Sequence, residues 1–100
     1  MVKHIVVWKL KPNAEGAGRA ANAERVKAAL EGLRGKIPGM RHVEVGINFN
    51  ATDAAYDVAL YSEFDNRAAL DGYQEHPEHV KVKGLIKSVR DSRVVVDYEI

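Results

Sequence analysis

The chain contains no cysteine at all. Disulfides are therefore excluded, and the fold must rest on packing, as suits a reducing compartment. Cysteine-based zinc and iron–sulfur sites are excluded with them. Charge of one sign is also missing: 15 Lys and Arg stand against 14 Asp and Glu, a formal net charge of +1. Such a balance gives no broad field for nucleic acid or an anionic membrane, so neither is expected as a partner. No apolar run approaches the 18 residues of a membrane span. The run His4–Leu10 is too short, and with Lys9 inside it too charged, for a secretion signal. The expected location is the cytoplasm.

What remains is a chain of 100 residues, 46% hydrophobic and 29% charged, the balance of an ordinary globule. A domain this size buries about 65% of its unfolded surface, enough for one core. One domain over residues 1–100 is expected.

Residues 2–10 are β-branched and aromatic and read as a strand. Val6, Trp8 and Leu10 share one parity, Ile5 and Val7 the other, so both faces of this strand are expected to be covered. Pro12-Asn13 and Gly16-Ala17-Gly18 mark a loop. From Arg19 to Arg34 the period becomes helical, with Ala23, Val26, Leu30 and Leu33 as the stripe and Glu24, Lys27 and Glu31 as a solvated face. Gly35 and Pro38-Gly39 end that helix. His42–Phe49 alternates, with Val43, Val45, Ile47 and Phe49 predicted inward and His42 solvated. A polar connection over 50–55 leads to a strand at Tyr56–Phe64. Asp65-Asn66 supplies a cap for a helix over Ala68–Gln74 with Leu70 and Tyr73 inward. Pro77 stops it and opens another, carrying Val82, Leu85, Ile86 and Val89. Val94–Glu99 is the last strand.

The order β-α-β-β-α-β, with its second helical segment split, predicts an α+β fold of the ferredoxin-like type. Right-handed crossovers place the helices on one face of a four-stranded antiparallel sheet. The other face has no helix to cover it, yet Ile5, Val7, Ala59 and Val95 are expected there. A second copy packed sheet to sheet is the simplest cover, so a homodimer is predicted.

The densest polar signal is Tyr73-Gln74-Glu75-His76-Pro77-Glu78-His79. Proline fixes the directions of its neighbours, and His76 and Pro77 are expected to hold a structural corner. His79 falls in the first turn of the next helix, where the dipole disfavours an imidazolium and leaves a neutral base usable near pH 7. Tyr73 can polarise a carbonyl or phenol oxygen. His4, on the parity of Val6 and Trp8, can enter the same space. The candidate catalytic set is thus His79, Tyr73 and His4, with Val6, Trp8, Val58 and Leu85 as walls of a ligand cavity. Packing alone also accounts for each of these residues, so a structural role stands beside the catalytic one. Asp97 on the last, largely apolar strand suggests a fixed hydrogen bond, and exposure accounts for it equally well. Two histidines fall short of a zinc set, no His-Glu-x-x-His is present, and no serine or threonine sits in a nucleophile elbow. No metal and no cofactor are expected.

Several stretches, in order, resemble the stress-responsive A/B barrel (Dabb) domain family: Lys3-His4-Ile5-Val6, Ile37-Pro38-Gly39, Val45-Gly46, Tyr56-Asp57, Ser62-Glu63-Phe64, Tyr73 through Val80, and Val96-Asp97-Tyr98. The resemblance spans about residues 3–98. It implies a ferredoxin-like subunit in a dimeric α+β barrel. It further implies a link to a plant branch of cofactor-free polyketide cyclases, whose tyrosine and histidine align with Tyr73 and His79, with a further histidine at the position of His4. The alanine-rich wall and Trp8 differ from that branch, so ring closure on a long polyketide is not implied. Related barrels include cofactor-independent and haem-dependent monooxygenases and lactone isomerases. The leading expectation is a small, largely apolar or cyclic, weakly charged ligand, with general acid/base chemistry of cyclase, isomerase or lyase type. The alternative is a non-catalytic stress or ligand-binding protein.

Overall fold

The computed structural model describes residues 1–100. The elements are β1 (Val2–Leu10), a short hairpin of β2 (Asn13–Ala14) and β3 (Ala17–Gly18), α1 (Arg19–Glu31), β4 (Met40–Ile47), β5 (Val58–Phe64), α2 (Arg67–Glu75), α3 (Pro77–Val89) and β6 (Arg90–Glu99). The four long strands form one antiparallel sheet in the order β4-β5-β1-β6. This is the ferredoxin-like α+β arrangement. Its shortest dimension is 17 Å, the thickness of one sheet and one layer of helices.

Parity along β1 sorts the sheet. Val2, His4, Val6, Trp8 and Leu10 are buried beneath the helices, while Lys3, Ile5 and Val7 are only partly covered. Val6 lies opposite Leu60 on β5 and Val95 on β6. Partners across an antiparallel pair share a face. Val95 therefore belongs to the helix side, a correction: Val94, Val96 and Tyr98 are the β6 residues that join Ile5, Val7 and Ala59 on the open face. The core is closed by Val26 and Leu30 from α1, Leu70 and Tyr73 from α2, and Val82, Ile86 and Val89 from α3.

The hairpin replaces the loop expected before α1. Its turn is Glu15-Gly16, both with positive φ, which matches the twist of a tight hairpin. Buried Asn22 holds it from α1, its Nδ2 donating to the carbonyls of Ala14 and Ala17. Asn22 escaped the apolar stripe because it satisfies backbone instead of packing. Gly39 has φ +79, and a Cβ there would meet the Ala69 Cβ at 2.6 Å, so both torsion and space exclude a side chain.

β4 begins two residues earlier and ends two residues earlier than the alternation predicts. Phe49, expected on the buried face, is fully exposed beyond the strand end. Lys27 and Glu31, expected to be merely solvated, close the free edge of β4. Lys27 Nζ donates to the Val45 carbonyl, and Glu31 Oε2 accepts from Lys27 at 3.0 Å and from the Val45 N–H at 3.1 Å. Arg34 donates to the Val43 carbonyl at 2.8 Å. The helix thus occupies backbone groups that an open edge offers to other strands.

Candidate functional site

The site forms where the α2–α3 corner meets the helix face of β1. Asn66 opens α2, its Oδ1 accepting from the Ala69 N–H. At the other end His76 closes α2 and caps α3: its Nδ1 accepts from the Glu78 N–H at 3.1 Å, and Pro77 takes the first helical position. The corner so fixed turns Tyr73 and His79 toward β1.

The Tyr73 and His79 rings stack at 3.7 Å with an interplanar angle of 13°. Tyr73 is 1% exposed and His79 6%. His79 Nδ1 lies 3.0 Å from the Tyr73 carbonyl. A carbonyl only accepts, so Nδ1 carries the proton and Nε2 keeps its lone pair. Burial lowers the His79 pKa to about 4, only partly opposed by that hydrogen bond, and the nearby cations Lys83 and Arg93 push the same way. His79 is therefore a neutral imidazole with a free nitrogen at pH 7. Burial also raises the Tyr73 phenol, keeping it protonated. The hydrogen bonds of Tyr73 run through its carbonyl, which leaves the hydroxyl available as a donor.

His4 completes the cluster from β1. Its ring meets the edges of Tyr73 at 5.9 Å and Phe64 at 6.3 Å. The sheet register sets His4 opposite Asp97, and Nδ1–H donates to Asp97 Oδ1 at 2.5 Å. A carboxylate on Nδ1 holds the ring and leaves Nε2 as the free nitrogen. Ser62, on the other flank, donates to the His4 carbonyl at 3.0 Å.

A cavity of about 380 Å³ opens beside these rings. His4, Tyr73 and His79 line it together with Val6, Trp8, Leu30, Leu60 and Ile86. Val58 and Leu85, expected in this wall, lie outside it. Val58 is buried opposite Trp8 and borders a groove at the far end of the sheet. Leu85 is only half-buried, and its neighbour Ile86, one helical step round, faces the cavity instead. The indole nitrogen of Trp8 is buried without a hydrogen-bond partner. The mouth carries Gln74, Lys83, Lys87, Arg90 and Arg93, which the sequence pattern left unassigned. Their signal was the spacing of Lys83 and Lys87, one turn apart on α3, with Arg90 just past its end. No three His, Cys, Asp or Glu side chains converge as a metal set. No helix is long and apolar enough to cross a membrane.

Chemically, the arrangement pairs a neutral base with a protonated phenol, both buried in the wall of an open cavity. Such a pair can take a proton from carbon while donating a hydrogen bond to the adjoining oxygen.

The sequence pattern of the stress-responsive A/B barrel domain family matches residues 2–100. An uncharacterized protein of Streptomyces coelicolor is 35% identical over 102 residues, covering 99% of both chains. A dimeric protein of unknown function and ferredoxin-like fold from Bacteroides fragilis is 38% identical. It superposes with a TM-score of 0.84 over 99% of this chain and 95% of its own. A hydroxynitrile lyase from Passiflora edulis superposes with a TM-score of 0.80 over 99% and 92%, but at 18% identity it shares the fold alone. With the family pattern spanning the chain and two relatives above 30% identity, this protein belongs to the stress-responsive A/B barrel (Dabb) domain family.

Proposed function

We propose that this chain is one subunit of a homodimeric barrel whose cavity binds a small, largely apolar or cyclic molecule and moves a proton on it without a cofactor. His79 Nε2 is the base, taking a proton from carbon next to a carbonyl. The Tyr73 hydroxyl orients and polarises the oxygen. His4, held by Asp97, faces the same space and supports the substrate or His79. The observation that carries this reading is the bond from His79 Nδ1 to the Tyr73 carbonyl, which leaves Nε2 free beside a buried phenol.

The dimer is supported by the open sheet face. Ile5, Val7, Ala59, Val94 and Val96 lie there, and Phe49 projects fully exposed at its border. The Bacteroides fragilis relative is itself dimeric. A solution mass of twice the chain's 11.1 kDa is expected at micromolar concentration; a mass of one chain would overturn the pairing.

Proton transfer is tested with 2-tetralone, an apolar cyclic ketone, by deuterium exchange at its α-carbon in heavy water. Exchange above buffer is expected, with a loss of roughly 10²–10⁴-fold in His79→Gln, the usual contribution of a positioned base. Exchange unchanged by the substitution removes the role of His79. A non-catalytic binding protein is the second reading, favoured by the same His79–Tyr73 bond, which also ties α3 to the end of α2. In that case His79→Gln lowers the melting temperature, and 2-tetralone binds without exchanging.

A further inference from the structure

Six of the 15 Lys and Arg side chains are paired with carboxylates. Lys3, Arg19, Lys27, Arg41, Arg67 and Lys81 each meet an Asp or Glu. The mouth of the cavity gathers four that are not paired. Of the 13 residues that line it, Lys83, Lys87, Arg90 and Arg93 are cationic and none is Asp or Glu. Lys83 donates to the Gln74 carbonyl at 2.6 Å, and none of the four has an acidic partner. Four positive charges thus gather at one opening of a molecule whose net charge is +1.

Two elements build this cluster. Lys83 and Lys87 stand one turn apart on α3, and Arg90 follows at its C-terminal cap, where β6 begins. Arg93 comes from β6, opposite Trp8 and on the helix side of the sheet. Like charges held together repel, which is a cost to the fold at this opening. Apolar walls behind them concentrate the field and draw in anions. Guanidinium groups match the flat geometry of a carboxylate and donate two bonds at once. The mouth lies on the helix side, so pairing through the opposite sheet face leaves it uncovered.

We propose that the molecule bound in this cavity is a small organic acid: an apolar body seated on Val6, Trp8, Leu30 and Leu60, and an anionic group held at the mouth by Lys87, Arg90 and Arg93. This inference rests on the cavity being a ligand site, as argued above, and sharpens the expectation of a weakly charged ligand. It also orients the ligand. With the acid group at the mouth, the inner end of the apolar body lies against Tyr73, His79 and His4.

The test compares 4-phenylbutyrate with its neutral analogue 4-phenylbutanamide, which differ in charge and hardly in shape. Each is titrated into the ¹⁵N-labelled protein while amide resonances are followed. Both are expected to shift Tyr73, His79 and the α3 amides, the acid with an affinity about tenfold higher at low salt, as for charged hydrogen bonds at a solvent-exposed rim. Lys87→Gln with Arg93→Gln is expected to reduce the acid to the affinity of the amide, leaving the amide within about twofold. Lys36→Gln with Lys81→Gln removes the same net charge away from the mouth and is expected to change neither. Equal binding of acid and amide at the cavity overturns the anion proposal and leaves the cavity as a ligand site. So does an acid preference that survives loss of Lys87 and Arg93, or one that falls equally in the Lys36 and Lys81 control. If neither compound shifts any cavity resonance, the ligand site itself fails and this proposal with it.

Discussion

Lys3 and His4 are neighbours in β1 and point to opposite faces of one sheet. Lys3 joins Glu63 and Tyr61 on the open face: Lys3 pairs with Glu63, the Tyr61 hydroxyl donates to Glu63 at 2.7 Å, and the Lys3 ammonium lies 5.6 Å from the centre of the Tyr61 ring. His4 joins Asp97, Tyr73 and His79 beneath the helices. Both clusters mix charge and aromatic rings. The open-face cluster saturates itself, since Glu63 accepts from two donors and the pairing holds its carboxyl below the ordinary range and the Lys3 ammonium above it. The covered cluster keeps unused capacity: the Nε2 of His79 and the Tyr73 hydroxyl. Saturated groups stabilise, whereas buried groups with spare lone pairs or protons are the ones that can act on another molecule.

That contrast can be broken on the covered side first. Tyr73→Ala should cost about 3–4 kcal/mol by chemical denaturation, the lower part of the range for a buried aromatic, because the ring already borders a cavity. Tyr73→Phe, which keeps the packing, should lose less than about 1 kcal/mol and yet reduce exchange of 2-tetralone. Loss of stability in Tyr73→Phe as large as in Tyr73→Ala would show the hydroxyl to be part of the scaffold.

Acid titration gives the next effect. The His79 pKa is depressed from an ordinary 6.5 to about 4 in the folded chain, so between those values the unfolded chain binds the extra proton. Stability should be complete above pH 6.5 and fall as pH drops toward 4. About 2 kcal/mol of that fall should be absent from His79→Gln, somewhat less than the full linkage value because the mouth is open to water. Any exchange activity should show its acid limb near pH 4. An acid limb near 6.5, or identical pH–stability curves for the two proteins, would contradict a buried neutral imidazole.

The smallest effect belongs to the open face. Glu63→Gln should change the melting temperature less than Tyr73→Ala does, because an ion pair near the surface contributes little. Its curve should also lose sensitivity to added salt. A loss comparable with Tyr73→Ala would mean that the open-face cluster carries the fold, and the contrast between the two faces would fail.

Much of this was legible in the residues. Alternation in β1 assigned His4 to the face of Val6 and Trp8, and the proline at 77 located the corner that carries Tyr73 and His79. Both are local properties, periods of two and a fixed φ, and survive in any fold that uses these elements. The misplacements were of another kind. Val95 was assigned to the open face because Val94, Val95 and Val96 are chemically alike, and only pairing with Val6 decides between them. Phe49 continued an alternating run, but the sheet partner ended first. Leu85 and Ile86 both fit a helical stripe, and the rotation of α3 against the sheet selects Ile86 for the cavity.

By itself the sequence determined the order of the four long strands and their helices, the ferredoxin-like sheet, the surplus of apolar groups on one face and the corner with its tyrosine and histidine. These follow from spacing, which is a property of neighbours along the chain. Register across β1 and β6 was decided only in the tertiary structure, and register made a pair of His4 and Asp97, residues 93 positions apart. It also brought Arg93 beside Lys83 and Lys87 of α3 and Arg90 at its C-terminal cap. Hydrogen bonding and electrostatics act over a few ångströms of space, whatever the distance along the chain. The cavity, its free base and its ring of cations therefore exist only once the sheet has closed against its helices.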